Sequence, residues 1–256
     1  MTLGERMKEY EKVSRGYLMK RIPVVIRLDG CHFHTFTKGL DKPYDKILMK
    51  IMQETMKALC EDIQGCVLGY TQSDEITLVL IDYQNLNTSA WYDNQIQKMC
   101  SVAASLATLA FNKCWSKEVD KFYEDYLFTD NKDVSDYRRW QLLDKKCNKA
   151  TFDARVFNLS PDEVVNNLIW RQQDATRNSI NLLGQSLYSH KELQGISANQ
   201  LQNKMLIEKD VNWNNELTSF KRGSCCRKNE NGKWYIDTEI PIFTEDRQYI
   251  ANLLII

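Results

Sequence analysis

No stretch of these 256 residues approaches the run of about 20 apolar side chains that a membrane span needs. Residues 1–21 are charged and lack the apolar stretch of a signal peptide, so a cytoplasmic protein is expected. There is no internal repeat, low-complexity tract or clear linker. Net charge is absent too: 34 Lys and Arg offset 34 Asp and Glu, which argues against bulk electrostatic adhesion to nucleic acid. An RNA partner would need a local basic patch. Histidine is scarce, at 3 residues. Cys31-His32-Phe33-His34 has the look of half a zinc site, but the one remaining histidine, His190, supplies no second half, and a structural zinc is not expected. The 8 cysteines do not suggest a secreted disulfide scaffold in a chain this long. Cys60, Cys66, Cys100 and Cys114 sit in apolar contexts that predict buried thiols.

What is present is an ordinary globular composition, 43% apolar and 27% charged, enough for a sizeable core. Two short pieces carry chemistry. Arg27-Leu28-Asp29-Gly30 follows the apolar Pro23-Val24-Val25-Ile26, which reads as a buried strand. Ser73-Asp74-Glu75 separates Cys66-Val67-Leu68 from Ile76-Thr77-Leu78-Val79-Leu80, the two arms of a hairpin. Either piece alone is more often a plain turn. Together, with a helix between them, they place three acids near one sheet edge. Hard cations such as Mg2+ are held by a few carboxylates and substrate phosphates, and two such ions clamp a phosphoryl transfer.

Further along, residues 3–19 read as a packed helix, and Pro43-Tyr44-Asp45 opens a helix running to about Asp62. Trp91 to about Lys117 reads as another helix, and Thr151 to Leu159 as a fourth strand. The order β-α-β-β-α-β is that of a ferredoxin-like split βαβ sheet. The expected class is α+β: a palm-like sheet with packed helices, an inserted lid-like segment and a C-terminal hairpin. A single domain is expected over 1–256, with its palm core at about 22–160 and a helical and hairpin part at about 161–256. The insertion, 118–149, keeps no period and holds the densest basic stretch, Arg138-Arg139 with Lys145-Lys146-Lys149. Ser160-Pro161-Asp162-Glu163 predicts a capped helix start, Ser197 another, and Asn231-Gly232 a hairpin between 224–228 and 233–237. Cys225 and Cys226, on a strand, must face opposite sides.

These positions in order resemble the tRNA(His) guanylyltransferase family, specifically its bacterial and archaeal guanylyltransferase-like members. The matching pieces are Arg27-Leu28-Asp29-Gly30, Phe33-His34-x-Phe36, Lys42-Pro43-Tyr44-Asp45 and Tyr70-x-Gln72-Ser73-Asp74-Glu75. They continue with Phe152-Asp153-x-Arg155-Val156, Trp170-Arg171-Gln172-x-Asp174, Asn214-Asn215-Glu216-Leu217 and Lys221-Arg222-Gly223. The resemblance implies a nucleotidyltransferase that adds nucleotides to the 5′ end of tRNA in the 3′-to-5′ direction, with two Mg2+ ions and with ATP, GTP or other nucleoside triphosphates as substrates. It implies metal ligation by Asp29, Asp74 and the Gly30 carbonyl, with Glu75 as a further catalytic acid. Nucleotide and triphosphate binding then falls to Arg27, Cys31, His32, Phe33, His34, Lys42, Asp45, Ser73 and Lys98. Contacts to tRNA fall to Arg138, Arg139, Lys145, Lys146, Arg155, Arg171, Asn178, Lys221 and Arg222. A homotetramer, a dimer of dimers, is implied as well. Trp170 is expected to pack in the core.

The departures from the pattern are Cys31 where Arg is frequent, Tyr44 where Asn is frequent, and Thr176-Arg177-Asn178-Ser179 where eukaryotic members carry His-Ile-Asn-Asn. That histidine belongs to recognition of the histidine anticodon, so its absence favours broader 5′-end repair over a dedicated guanylyltransferase adding a single guanylate. A palm-fold nucleotide cyclase would use the same carboxylates without tRNA. A non-enzymatic RNA-binding module would use them only as turn residues.

Overall fold

The structure, a computed structural model, describes residues 1–129 and 133–255. Six strands, β1 (Val24–Gly30), β2 (Cys66–Gln72), β3 (Glu75–Leu80), β4 (Phe152–Asn158), β5 (Ser224–Lys228) and β6 (Trp234–Asp237), form one antiparallel sheet in the order β4-β1-β3-β2-β5-β6. β1 and β3 read as near-continuous apolar runs because both of their faces are covered. On one face Ile26, Leu28, Ile76 and Leu78 join the core built by the helices Lys46–Asp62 and Ile96–Phe128. On the other, Val25, Val79, Leu68 and Tyr70 meet Val164, Val165 and Leu168 of a later helix. Cys226 falls in the first core and Cys225 in the second, as alternation requires.

The early helices are α1 (Leu3–Val13), α2 (Phe33–Phe36) and α3 (Lys46–Asp62). α1 forms over the first part of the expected 3–19 and ends at Val13, with a capping box between Thr2 and Glu5, and among the described residues it buries none of its side chains. The expectation that it packs is therefore corrected: Leu3, Tyr10 and Val13 face solvent.

The next two, α4 (Ile96–Phe128) and α5 (Val134–Asp144), correct the reading of an irregular insertion. α4 has no proline or glycine to stop it and runs for 33 residues, about 50 Å at 1.5 Å per residue. Its outer part projects past the sheet, and α5 folds back on it. The Trp115 Nε1–H donates to the Leu143 carbonyl at 2.9 Å, and Tyr123 stacks on Trp140 at 4.5 Å. Positions 130–132 of the expected insertion lie outside the described residues.

α6 (Pro161–Leu187) crosses the second face of the sheet. Ser160 takes its N-cap position without a side-chain capping bond, and Glu163 accepts from Asn166 instead of closing a box. The short α7 (His190–Leu193), α8 (Ala198–Lys209) and α9 (Thr218–Arg222) follow, with α8 capped by Ser197 as expected. The β5–β6 hairpin extends the main sheet by pairing β5 with β2. Gly223, at φ 86, makes that approach possible: a Cβ there would lie 2.5 Å from the Thr71 carbonyl oxygen. No helix among the described residues is long and apolar enough to cross a membrane.

Candidate active site

β2 and β3 are joined by the two residues Ser73 and Asp74, with Gln72 paired to Glu75 and Ser73 in the left-handed region at φ 51. The end of β1 lies against this turn. Asp29 pairs directly with Glu75, and the Gly30 N–H donates to the Asp74 carbonyl at 3.0 Å. Gly30 cannot carry a side chain, because a Cβ would meet the Phe33 ring at 2.3 Å. Asp29 and Asp74, far apart in sequence, are thus held at one sheet edge by backbone pairing.

Neither Asp29 nor Asp74 has a basic partner among the described residues. Burial, with the nearby Asp29 charge adding to it, holds the Asp74 carboxyl above the ordinary aspartate range. Glu75 differs. Its Oε2 accepts from Arg27 Nε at 2.8 Å, and its Oε1 lies 2.9 Å from Arg171 Nε. Arg171 in turn donates to Asp174, which also accepts from Arg177 and Asn178. Burial pushes the Glu75 carboxyl up, and the two guanidiniums pull against it.

A cavity of about 250 Å³ opens on the β2 side of this edge, between the start of α3, the Ser73 turn, α6 and α9. Lys42, Asp45, Ser73 and Asn178 line it, and Tyr44 and Phe220 form an aromatic wall with ring centroids 4.5 Å apart. Asp45 is at once the N-cap of α3, accepting from the Ile47 and Leu48 N–H groups at 3.0 Å, and the ion-pair partner of Arg139.

The rest of the expected nucleotide-binding set is dispersed. Arg27 belongs to the Glu75 cluster. The Cys31 N–H donates to the Thr151 carbonyl, and His32 and His34 are exposed just beyond β1. The Phe33 ring is committed to an aromatic core with Phe36, Phe111 and Phe152, so a direct contact between that ring and a nucleotide is corrected. Lys98, in the first turn of α4, sits at the other end of the sheet. There Asn94 and Asn158 both donate to the Met19 carbonyl, and Asn158 pairs with Val24. Five residues of β1 separate that end from Asp29, about 17 Å. Within one chain Lys98 therefore does not reach the site.

Among the expected RNA contacts, Arg138, Lys145 and Arg155 are exposed. Arg139 is held by Asp45, and Lys146 donates to the Phe36 and Lys38 carbonyls. Arg171 and Lys221 are only 4% and 7% exposed, their charges met by Glu75 and Asp174 and by the Asn214 carbonyl, so both are corrected from surface contacts to internal ones. The Arg222 carbonyl accepts from Tyr70 Oη. Trp170, expected in the core, is 48% exposed and lies over Arg171. Sequence reasoning missed Phe220 as a cavity wall; its position beside the marked Lys221 was the available signal.

Among the described residues, no three His, Cys, Asp or Glu side chains gather as a metal cluster. The site offers two carboxylates and a backbone carbonyl, an all-oxygen set suited to a hard cation completed by substrate phosphates.

The tRNA(His) guanylyltransferase family model matches residues 4–160. A solved bacterial tRNA(His) guanylyltransferase-like protein in complex with ATP is 40% identical, with a TM-score of 0.85 and 100% of both chains covered. Another such structure, in complex with GTP, is 35% identical with a TM-score of 0.78, again over 100% of both chains. The tRNA(His) guanylyltransferase of Eremothecium gossypii is 26% identical over 233 residues, 86% of this chain and 87% of that protein. The chain therefore belongs to the tRNA(His) guanylyltransferase family of nucleotidyltransferases.

Proposed function

We propose that the protein extends or repairs the 5′ end of tRNA by template-dependent, 3′-to-5′ nucleotide addition. The observation that carries the reading is the meeting of Asp29 and Asp74, two acids without a basic partner among the described residues, beside a cavity lined by Lys42 and Ser73. The strand order β4-β1-β3-β2, with α3 and α4 on one face, supports a ferredoxin-like palm beneath them. The named relatives, one in complex with ATP and one with GTP, support nucleoside triphosphates as substrates.

Asp29, Asp74 and the Gly30 carbonyl would hold Mg2+. Their fit rests on the donor chemistry, and a neighbouring cation would offset the burial that raises the Asp74 carboxyl. When bound, two such ions supply Lewis acidity at the attacking hydroxyl and charge neutralisation at the triphosphate. Lys42 offers a point charge and Ser73 a hydroxyl to the phosphates of a nucleotide in the cavity, and the Tyr44–Phe220 wall offers an apolar face to its base. A 5′ monophosphate on the RNA is first activated by attack on the α-phosphorus of ATP, releasing pyrophosphate. The 3′ hydroxyl of the incoming nucleotide then attacks the activated 5′ phosphorus, AMP leaves, and the hydroxyl proton passes to solvent. No protein nucleophile is needed, because positioning and charge neutralisation dominate phosphoryl transfer.

The Thr176-Arg177-Asn178-Ser179 segment lies on α6, where Arg177 and Asn178 are bound to Asp174 and Ser179 is buried. This supports selection by the acceptor-stem template rather than by the anticodon. The test compares kcat/KM for 5′-truncated tRNA(His), the same RNA with a swapped anticodon, and a truncated tRNA of another identity. Similar values, with the template-matched nucleotide preferred, are expected. A large preference for the histidine anticodon would restore a dedicated guanylyltransferase.

A further inference from the structure

Two large apolar side chains of α6 reach solvent, Leu182 at the cavity and Trp170 away from it. Val164, Val165 and Leu168 are buried, whereas Trp170 remains 48% exposed. Its indole is nonetheless held in place. The Arg171 guanidinium lies 4.1 Å from the ring centroid and that of Arg27 5.7 Å, and both arginines are fixed by the buried Glu75 carboxylate. An aromatic ring braced by two guanidiniums that share one carboxylate gives up little freedom on binding a flat partner.

Its place matters as much as its exposure. Arg27 and Asp29 are alternate residues of β1, so their side chains share a face about 7 Å apart. Trp170, packed on Arg27, therefore stands beside the Asp29 edge on the β1–β4 side. The cavity expected to take the nucleoside triphosphate opens on the opposite, β2 side. In the outermost strand, Arg155 pairs with Arg27 in register and keeps a 57% exposed side chain, ion-paired at 3.5 Å with the equally open Asp153, a solvent-facing cation that a phosphate strand could engage.

We infer that Trp170 is a stacking platform for a nucleobase of the RNA strand that carries the reacting 5′ end, with Arg155 beside it for that strand's backbone. The inference rests on the reading of the site as an RNA nucleotidyltransferase. The platform takes a base from the β1–β4 side while the incoming nucleotide occupies the β2 side, so the two reactants meet at Asp29 and Asp74 from opposite directions.

The test measures binding of a 5′-truncated tRNA transcript, and separately of ATP and of GTP, to the wild type, Trp170→Ala and Trp170→Phe, with thermal transitions recorded for each. Base stacking on an aromatic side chain is worth about 1–3 kcal/mol. Trp170→Ala should therefore weaken RNA binding by about 10-fold or more, Trp170→Phe should recover most of it, and ATP and GTP affinities should not move. Indole emission should be quenched by the RNA in the wild type and markedly less in Trp170→Phe, a readout that holds even if the alanine variant folds poorly. RNA affinity and quenching unchanged by these substitutions would overturn the platform alone. A loss confined to ATP or GTP would assign the ring to the nucleotide and overturn it too. A wild type that binds no RNA would overturn the functional reading and the platform with it.

Discussion

Asp29 and Glu75 are direct partners across the β1–β3 pair, yet among the described residues only Glu75 of the two meets arginine. Glu75 holds Arg27 and Arg171 together, while on the proposed reading Asp29 and Asp74 would be the acids available to a cation.

Glu75→Ala should behave first as a stability variant. It leaves Arg27 without its carboxylate and the buried Arg171, only 4% exposed, with Asp174 alone. Removing one partner of a buried pair costs about 3–5 kcal/mol, and each kcal/mol lowers Tm by about 2–4 °C in a chain of this size. Calorimetry should show a drop of several degrees at least. An unchanged transition would mean that the cluster contributes nothing to the fold.

Asp74→Asn should do the reverse. The folded protein holds the Asp74 carboxyl above its unfolded value, chiefly through burial. The stability linked to its protonated form is fully present below the unfolded value and is lost as pH rises through the folded one. An uncharged amide escapes that loss, so the variant should melt above the wild type at pH 7. The gap should close as pH falls below about 4, where the wild-type carboxyl is neutral in both states. Mg2+ should raise the wild-type Tm and leave that of Asp74→Asn nearly unmoved. A variant that melts at the wild-type temperature at pH 7 without Mg2+, or that gains as much Tm from Mg2+ as the wild type, contradicts this.

The basic residues near α5 should separate by exposure. Arg138→Glu and Lys145→Glu, both exposed, should weaken tRNA binding and flatten its salt dependence by about one unit of slope per lost phosphate contact. Arg139→Ala, which frees the buried Asp45 cap, should instead lower Tm. Equal salt slopes in all three variants would make the patch ordinary solvated surface.

Lys42→Ala tests the cavity. A hydrogen bond to a charged group is worth about 1.5–3 kcal/mol, so KM for the nucleoside triphosphate should rise about 10- to 100-fold. KM for tRNA should stay within a factor of two or so, and a parallel rise in both would place Lys42 on the RNA path instead.

The parts of this architecture legible in the sequence were those set by local pattern. Apolar runs marked β1 and β3, the Ser73-Asp74 turn declared itself between them, and Asp45 before a periodic stretch gave the start of α3. Long-range pairing was not legible. Arg171 and Lys221 read as surface cations because nothing nearby in sequence shows that Glu75 and Asn214 would receive them inside the fold. Trp170 read as core, whereas it stands 48% exposed against the Arg171 guanidinium, and its further approach to Arg27 of β1 is a long-range contact that no local pattern shows. Residues 118–128 read as irregular because the charged outer face of α4 hides the line from Phe111 through Trp115 to Val119 that continues the helix. The separation of Lys98 from Asp29 follows from the direction of α4, which motif order alone does not state.

The most direct test of the central claim is single-turnover incorporation of labelled nucleotide into a 5′-truncated tRNA, with ATP, GTP and Mg2+, by the wild type, Asp29→Ala and Asp74→Ala. The account predicts template-matched label at the 5′ end with the wild type. Each variant should lose rate by about three orders of magnitude or more, as expected when a group stabilising transition-state charge is removed, while keeping a cooperative native transition. Incorporation near the wild-type rate in either variant, or label found at the 3′ end, would contradict it.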